Sequence, residues 1–138
     1  MPESSLQRFA PLAGRILLAL IFIIAGFRKI TGFSGTAAYM ASKGLPMVEV
    51  LLVATIVVEL GGGLMLVLGW RARLAALLLF LFTAIVTPIF HGFWAFPPEQ
   101  YQAQFNNFMK NIAIMGGMLY VMAYGPGPLS VGGRRAAR

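Results

Sequence analysis

Val50 to Leu68, VLLVATIVVELGGGLMLVL, is built almost entirely of Val, Leu, Ile, Ala, Met and Gly, with a single ionisable group, Glu59, at its midpoint. About twenty apolar residues are enough to cross the hydrocarbon core of a bilayer, so this stretch is expected to span a membrane. A carboxylate halfway along such a span costs several kcal/mol unless it is paired or faces a polar cavity. Glu59 therefore needs a partner elsewhere in the chain.

The composition agrees with a membrane setting. Of 138 residues, 59% are hydrophobic and 11% charged, and the mean hydropathy is +0.80. That is far more apolar than a soluble domain of this length. A single membrane domain covering residues 1–138 is expected, with room for about four spans. With no cysteine, thiolate catalysis, dithiol relays and iron–sulfur ligation are excluded. The lone histidine, His91, cannot build a bis-His haem or a His-rich metal site within one copy, so no metal site and no intrinsic cofactor are expected. A redox cofactor, if used, is a diffusible quinone or belongs to a partner. The net charge of +7 is carried mostly at the ends of apolar runs, which points to lipid headgroups and not to nucleic acid.

Outward from Val50–Leu68, the chain divides into four spans at about 9–28, 47–69, 73–90 and 108–124. The first is apolar except for Arg15, carries Pro11 in its first turn, and lacks a small-residue cleavage site, so it is expected to remain as an uncleaved span. A loop follows, with a short interfacial helix around Thr36 to Ser42. The tight basic turn Gly69-Trp-Arg-Ala-Arg73 makes spans two and three antiparallel. Thr83, Thr87 and Pro88 give the third span a polar edge and a kink. Residues 91–107, rich in Pro, Gln, Asn and aromatics, read as a surface loop. The stop at Gly125-Pro126-Gly127-Pro128 closes span four.

The expected fold is an all-α, four-span, up-down bundle with both termini cytoplasmic. The orientation rests on Arg8, Arg71, Arg73, Arg134, Arg135 and Arg138 at one end against Arg28, Lys29 and Lys43 at the other. Phe93, Trp94 and Tyr101 would mark the outer interface, and Trp70, Tyr120 and Tyr124 the inner one.

The sequence resembles the DoxX family of small four-helix bacterial inner-membrane proteins along nearly its whole length. The likeness is carried by Ile21–Ile30 (IFIIAGFRKI), by Glu59–Gly63 (ELGGG) with Gly69–Arg73 (GWRAR), and by Asn107–Ile112 (NFMKNI) with Gly125–Ser130 (GPGPLS). It implies a multi-pass inner-membrane protein of a family linked by name to a quinol oxidase subunit and to membrane redox complexes. No catalytic residue is carried over by it.

Two groups of residues are candidates for chemistry. The first is an intramembrane ion pair: Glu59 with Arg15, whose guanidinium can fork onto a carboxylate, or failing that with Lys110. The plain alternative for Arg15 is snorkelling to headgroups. The second is a ligand pocket at the outer end, assembled from His91, Lys110, Asn107, Asn111, Arg28 and Lys29 with Trp94 near its rim. Such a mouth could hold a quinone carbonyl or a lipid headgroup. The competing assignment for these residues is an ordinary interfacial belt. The functional expectation is a membrane subunit or accessory protein of a quinone-linked redox system, in contact with the lipid bilayer and with other membrane or redox proteins. The alternatives are a non-catalytic scaffold and a proton or small-solute carrier using Glu59.

Overall fold

The computed structural model describes residues 3–132. The basic tail residues Arg134, Arg135 and Arg138 lie outside it. Among the described residues there are five α-helices and no strand: α1 (Ser5–Thr31), α2 (Phe33–Ser42), α3 (Val48–Leu68), α4 (Ala72–His91) and α5 (Pro98–Tyr124), with a 3-10 turn at Phe93–Ala95. Three of the helices are long and apolar enough to cross a membrane: α1, α3, and α4 continued to Ala95. The fourth long helix, α5, has Asn107, Lys110 and Asn111 in its middle, which lowers its apolarity.

Two boundaries differ from the sequence expectation. Helix α1 starts at Ser5, because Ser4 and Gln7 form a reciprocal capping box that nucleates the helix before the apolar run begins. Pro11 thus lies inside the helix and not in its first turn. At the other end of the chain, residues 98–107 are helical and not a surface loop. Pro97 and Pro98 start α5 with fixed φ angles, and Glu99 places a negative charge in its first turn, where the helix dipole favours it. The aromatic residues there gather edge-to-face on Phe93, which meets Tyr101, Phe105 and Phe108 at ring-centre distances of 5.3, 5.1 and 5.4 Å.

The buried stripes follow helical spacing. Arg15, Ala19, Phe22 and Gly26 share one face of α1, and Ala72, Ala75, Ala76, Leu79, Thr83 and Thr87 share one of α4. Helix α1 lies chiefly against α3, α3 against α4, and α4 against α5, and a lighter contact between α1 and α5 closes the ring. Small residues set the α1–α3 register. A Cβ on Gly26 would sit 2.7 Å from Leu60 Cγ, and one on Gly63 would sit 2.7 Å from Ile23 Cγ1. Gly26 is therefore level with Glu59 and Leu60, and Ile23 with Gly63.

The packed core, built from Ala19, Phe22, Leu66, Ala72, Ala75, Ala76, Leu79, Met118 and Val121, fills the half of the molecule nearer the α3–α4 turn. Gly69, at φ 68°, makes that turn possible: its backbone is left-handed and its missing Cβ leaves space for Ser130 and the Arg15 guanidinium. Outside, Leu17, Val57, Ile85 and Leu119 are exposed, an apolar surface of the kind that lipid covers.

Candidate functional site

The partner of Glu59 is Lys29. Its ammonium lies 2.8 Å from Oε1 and 3.0 Å from Oε2 of a carboxylate that is 4% exposed, while the Lys29 side chain is 26% exposed. Neither Arg15 nor Lys110 makes this bond, which corrects the expected pairing. The reason is register. With Gly26 opposite Glu59, Lys29 is one turn further along the same helix and its long stem reaches back. Arg15 lies eleven residues the other way, about 16 Å along the axis.

Arg15 holds carbonyls in place of a carboxylate. It is buried, and its Nη1 donates to the oxygens of Leu66 (2.7 Å) and Val67 (2.9 Å) while its Nη2 donates to that of Leu129 (2.6 Å). The carbonyls at the end of α3 carry the negative end of the helix dipole, and although Leu66 O also accepts the Gly69 N–H, Val67 O has no such capping donor among the described residues, so a guanidinium there is favoured. Leu129 belongs to the segment after α5, which is further tied down by Val131 N–H to Leu68 O and Gly132 N–H to Gly69 O. Arg15 is thus a clasp between α1, the end of α3 and the segment after α5. Nothing in the sequence marks a backbone acceptor, so residue patterns could not have named its partners.

In the other half of the molecule, beyond the packed core, the helices enclose a cavity of about 290 Å³. Most of its wall is apolar: Ile21, Phe22 and Ala25 from α1, Met40 from α2, Phe82, Val86 and Phe90 from α4, and Ile114 from α5. The polar groups converge on it from every helix: Lys29 and Glu59 as the ion pair, Thr36 and Tyr39, Thr55, Thr83, His91, Lys110 and Asn111. Of the pocket residues expected from the sequence, Lys29, His91, Lys110 and Asn111 line this cavity. Asn107, Arg28 and Trp94 do not: Arg28 lies in a neighbouring groove along α1, and Trp94 is exposed beside Phe93 and Phe108. Glu59 was expected as a separate pair and is instead part of the cavity wall.

The polar wall is fixed from behind. Thr83 and Thr87 return their hydroxyl hydrogens to the carbonyls one turn back, of Leu79 and Thr83, so their oxygens remain as acceptors on the buried face of α4. Asn111 Nδ2 donates to Thr87 Oγ1 at 3.0 Å, joining α5 to α4. His91 Nδ1 lies 2.8 Å from Gln104 Oε1 and ties the end of α4 to the first half of α5. Helix α2 lines one side of the cavity, where Tyr39 meets Phe90 with ring centres 5.8 Å apart, and just after it the Lys43 ammonium stands 4.4 Å from the centre of the Phe96 ring. Among the described residues, Lys110 has no hydrogen-bond or ion-pair partner, and no group of three His, Cys, Asp or Glu is placed to hold a metal. A small apolar chamber with a few converging polar groups is the form that a site for a small ligand takes.

The profile of the DoxX family matches residues 10–92. Inner membrane protein YphA of Escherichia coli (strain K12) is 38% identical over 87% of this chain and 86% of its own length. Inner membrane protein YqjF of the same organism is 38% identical over 91% of this chain and 92% of its own. Surfeit locus protein 4 homolog of Schizosaccharomyces pombe is 29% identical over 94% of this chain but only 38% of that protein. No solved structure matches. With these likenesses and three apolar spans, the chain belongs to the DoxX family and is a multi-pass protein of the bacterial inner membrane.

Proposed function

We propose that this chain is a ligand-binding membrane protein: the cavity takes the polar head of a membrane amphiphile, a quinone or a lipid, and the chain serves a quinone-linked redox system as an accessory subunit. In this reading α5 is a fourth span, about 40 Å long at the usual helical rise, and the four long helices form an up-down bundle with both termini in the cytoplasm. The sequence asymmetry of Arg8, Arg71, Arg73, Arg134, Arg135 and Arg138 against Arg28, Lys29 and Lys43 supports that orientation, and with it the cavity lies in the outer half.

The observation that carries the proposal is the 290 Å³ chamber itself, with an ion pair and fixed hydroxyl and amide groups set into an apolar wall and the exposed Lys110 beside them. Packing stops short of this half while the opposite half is filled, and polar residues at membrane depth mark functional sites more often than lipid contact. The chain has no cysteine and one histidine, so redox chemistry would reside in the ligand or in a partner protein.

Purification in mild detergent followed by native mass spectrometry tests the proposal. The wild type should retain a bound quinone or lipid, and Ala25→Phe, which fills the cavity from α1, should lose it. A wild type that carries protein partners and no small molecule would replace ligand binding with scaffolding.

A further inference from the structure

The cavity is closed unevenly. At the end away from the packed core, Tyr39 against Phe90 joins α2 to α4, and His91 Nδ1 with Gln104 Oε1 joins α4 to α5. Between α1 and α5 the closure is slighter: the two helices meet at Gly117, where a Cβ would sit 2.9 Å from Leu18 Cδ2. Leu18, Ile21, Ala25 and Lys29 are spaced i, i+3, i+7 and i+11 on one face of α1, and Gly117, Ile114 and Lys110 are spaced i, i−3 and i−7 on one face of α5. Past Leu18 and Gly117, every residue of both stripes lines the cavity. The seam is therefore a slot, shut at Leu18 and Gly117 and lined by cavity residues for about seven residues of α5 above them, roughly 10 Å.

Both edges of the slot reach the surface. On the α1 edge, Ile21, Ala25 and Lys29, with Thr36 of α2, also border a groove on the outside of the helix, whose other walls include Leu17, Leu20 and Ile24. Those three are exposed, as side chains facing lipid are. On the α5 edge, Lys110 is exposed although it lines the cavity, whereas Asn111 beside it is buried. Resting on the reading of the cavity as an amphiphile site, we propose that this slot is its entrance: the ligand comes sideways out of the outer leaflet, its head passes between α1 and α5 into the chamber, and its chain stays outside in the lipid. A volume of about 290 Å³ stands at the small end of the sites that enclose a whole ligand, about 300–1,000 Å³, so it holds a head without the chain. The site thus takes small heads on membrane-dissolved chains, and solutes arriving from water are the wrong class.

The chain has no cysteine, so a single introduced thiol reports access to the cavity. Val86→Cys, on the α4 wall of the cavity, is reacted in nanodiscs with N-dodecylmaleimide, which dissolves in the bilayer, and with a sulfonated maleimide, which stays in water. Ile85→Cys on the lipid-facing surface and Gln102→Cys at the outer end give the unhindered rate of each reagent. Relative to those rates, dodecylmaleimide should modify Val86→Cys faster than the sulfonated reagent, by about tenfold, and Ile21→Trp, which sets an indole in the slot, should slow it by about tenfold while leaving Ile85→Cys unchanged. The ratio at Val86→Cys decides alone should Ile21→Trp not fold. A sulfonated reagent that enters as fast or faster would show an opening to water and overturn the slot, with the amphiphile site left standing if native mass spectrometry still finds a bound amphiphile. Modification by neither reagent, or an unchanged rate in a folded Ile21→Trp, would also overturn it. Entry from the lipid in a protein that retains no amphiphile on purification would keep the slot and remove the binding site.

Discussion

Removing Lys29 should destabilise this protein more than removing Glu59, and removing both should cost least. At about 3 Å and an effective dielectric constant near 20, two unit charges attract by roughly 5–6 kcal/mol, most of which offsets the desolvation of the ions. The single mutants differ because the partners differ in exposure. Lys29→Met leaves a carboxylate that is 4% exposed without a counter-ion, a loss of about 3–5 kcal/mol. Glu59→Gln leaves an ammonium whose side chain is 26% exposed and which can swing to the interface, at a cost of about 1–2 kcal/mol. The double mutant, with neither charge, should fall within about 1 kcal/mol of the wild type, giving a coupling energy of about 3–7 kcal/mol. The assay is SDS-driven unfolding in mixed micelles, followed by helical circular dichroism, with Arg15→Gln combined with Glu59→Gln as the control. Additive losses for Lys29 and Glu59, or coupling between Arg15 and Glu59, would show that the buried carboxylate is not held by Lys29.

Further outcomes follow from other parts of the fold. Arg15→Gln gives up three charge-assisted bonds to carbonyls and should cost about 3 kcal/mol or more, while amide exchange at Val131 and Gly132 speeds up ahead of the rest of the chain. Gly63→Val forces side-chain carbon into Ile23 at the α1–α3 seam and should cost about 1–3 kcal/mol in the same unfolding assay, whereas Gly61→Ala, with open space around it, should be nearly silent. Cysteines at Ser5 and Val131 should resist an impermeant thiol reagent in intact cells and one at Gln102 should react; labelling of either end of the chain would reverse the orientation.

How far the sequence could be read depended on what kind of atom does the work. Val50–Leu68 announces a span with a carboxylate that must be paired, and the helix has these properties. The identity of the partner turned on axial register, and counting depth from the ends of apolar runs placed Arg15 nearer than it is. Gly26 and Gly63 held the missing information: small residues mark where two backbones approach, and aligning them would have put Lys29 beside Glu59. The cavity was partly visible, since Lys29, His91, Lys110 and Asn111 were grouped at one end, but helical phase turns Arg28 off that face of α1 and Trp94 sits in the 3-10 turn beyond α4. The first ten residues of α5 were hidden by composition: Gln and Asn suggest a loop, yet Pro97-Pro98-Glu99 is a helix start. Arg15 was unreadable for a different reason, since its partners are carbonyls that every residue possesses.

The claim that the cavity binds an amphiphile is tested most directly by photo-crosslinking in inner-membrane vesicles. A diazirine-bearing amphiphile is irradiated on the protein and the modified residues are located by peptide sequencing. Adducts are expected on the cavity wall, at Phe82, Val86 and Ile114, and should disappear in Ala25→Phe. Adducts confined to the lipid-exposed Val57, Leu81 and Ile85, with none on the cavity wall, would contradict it.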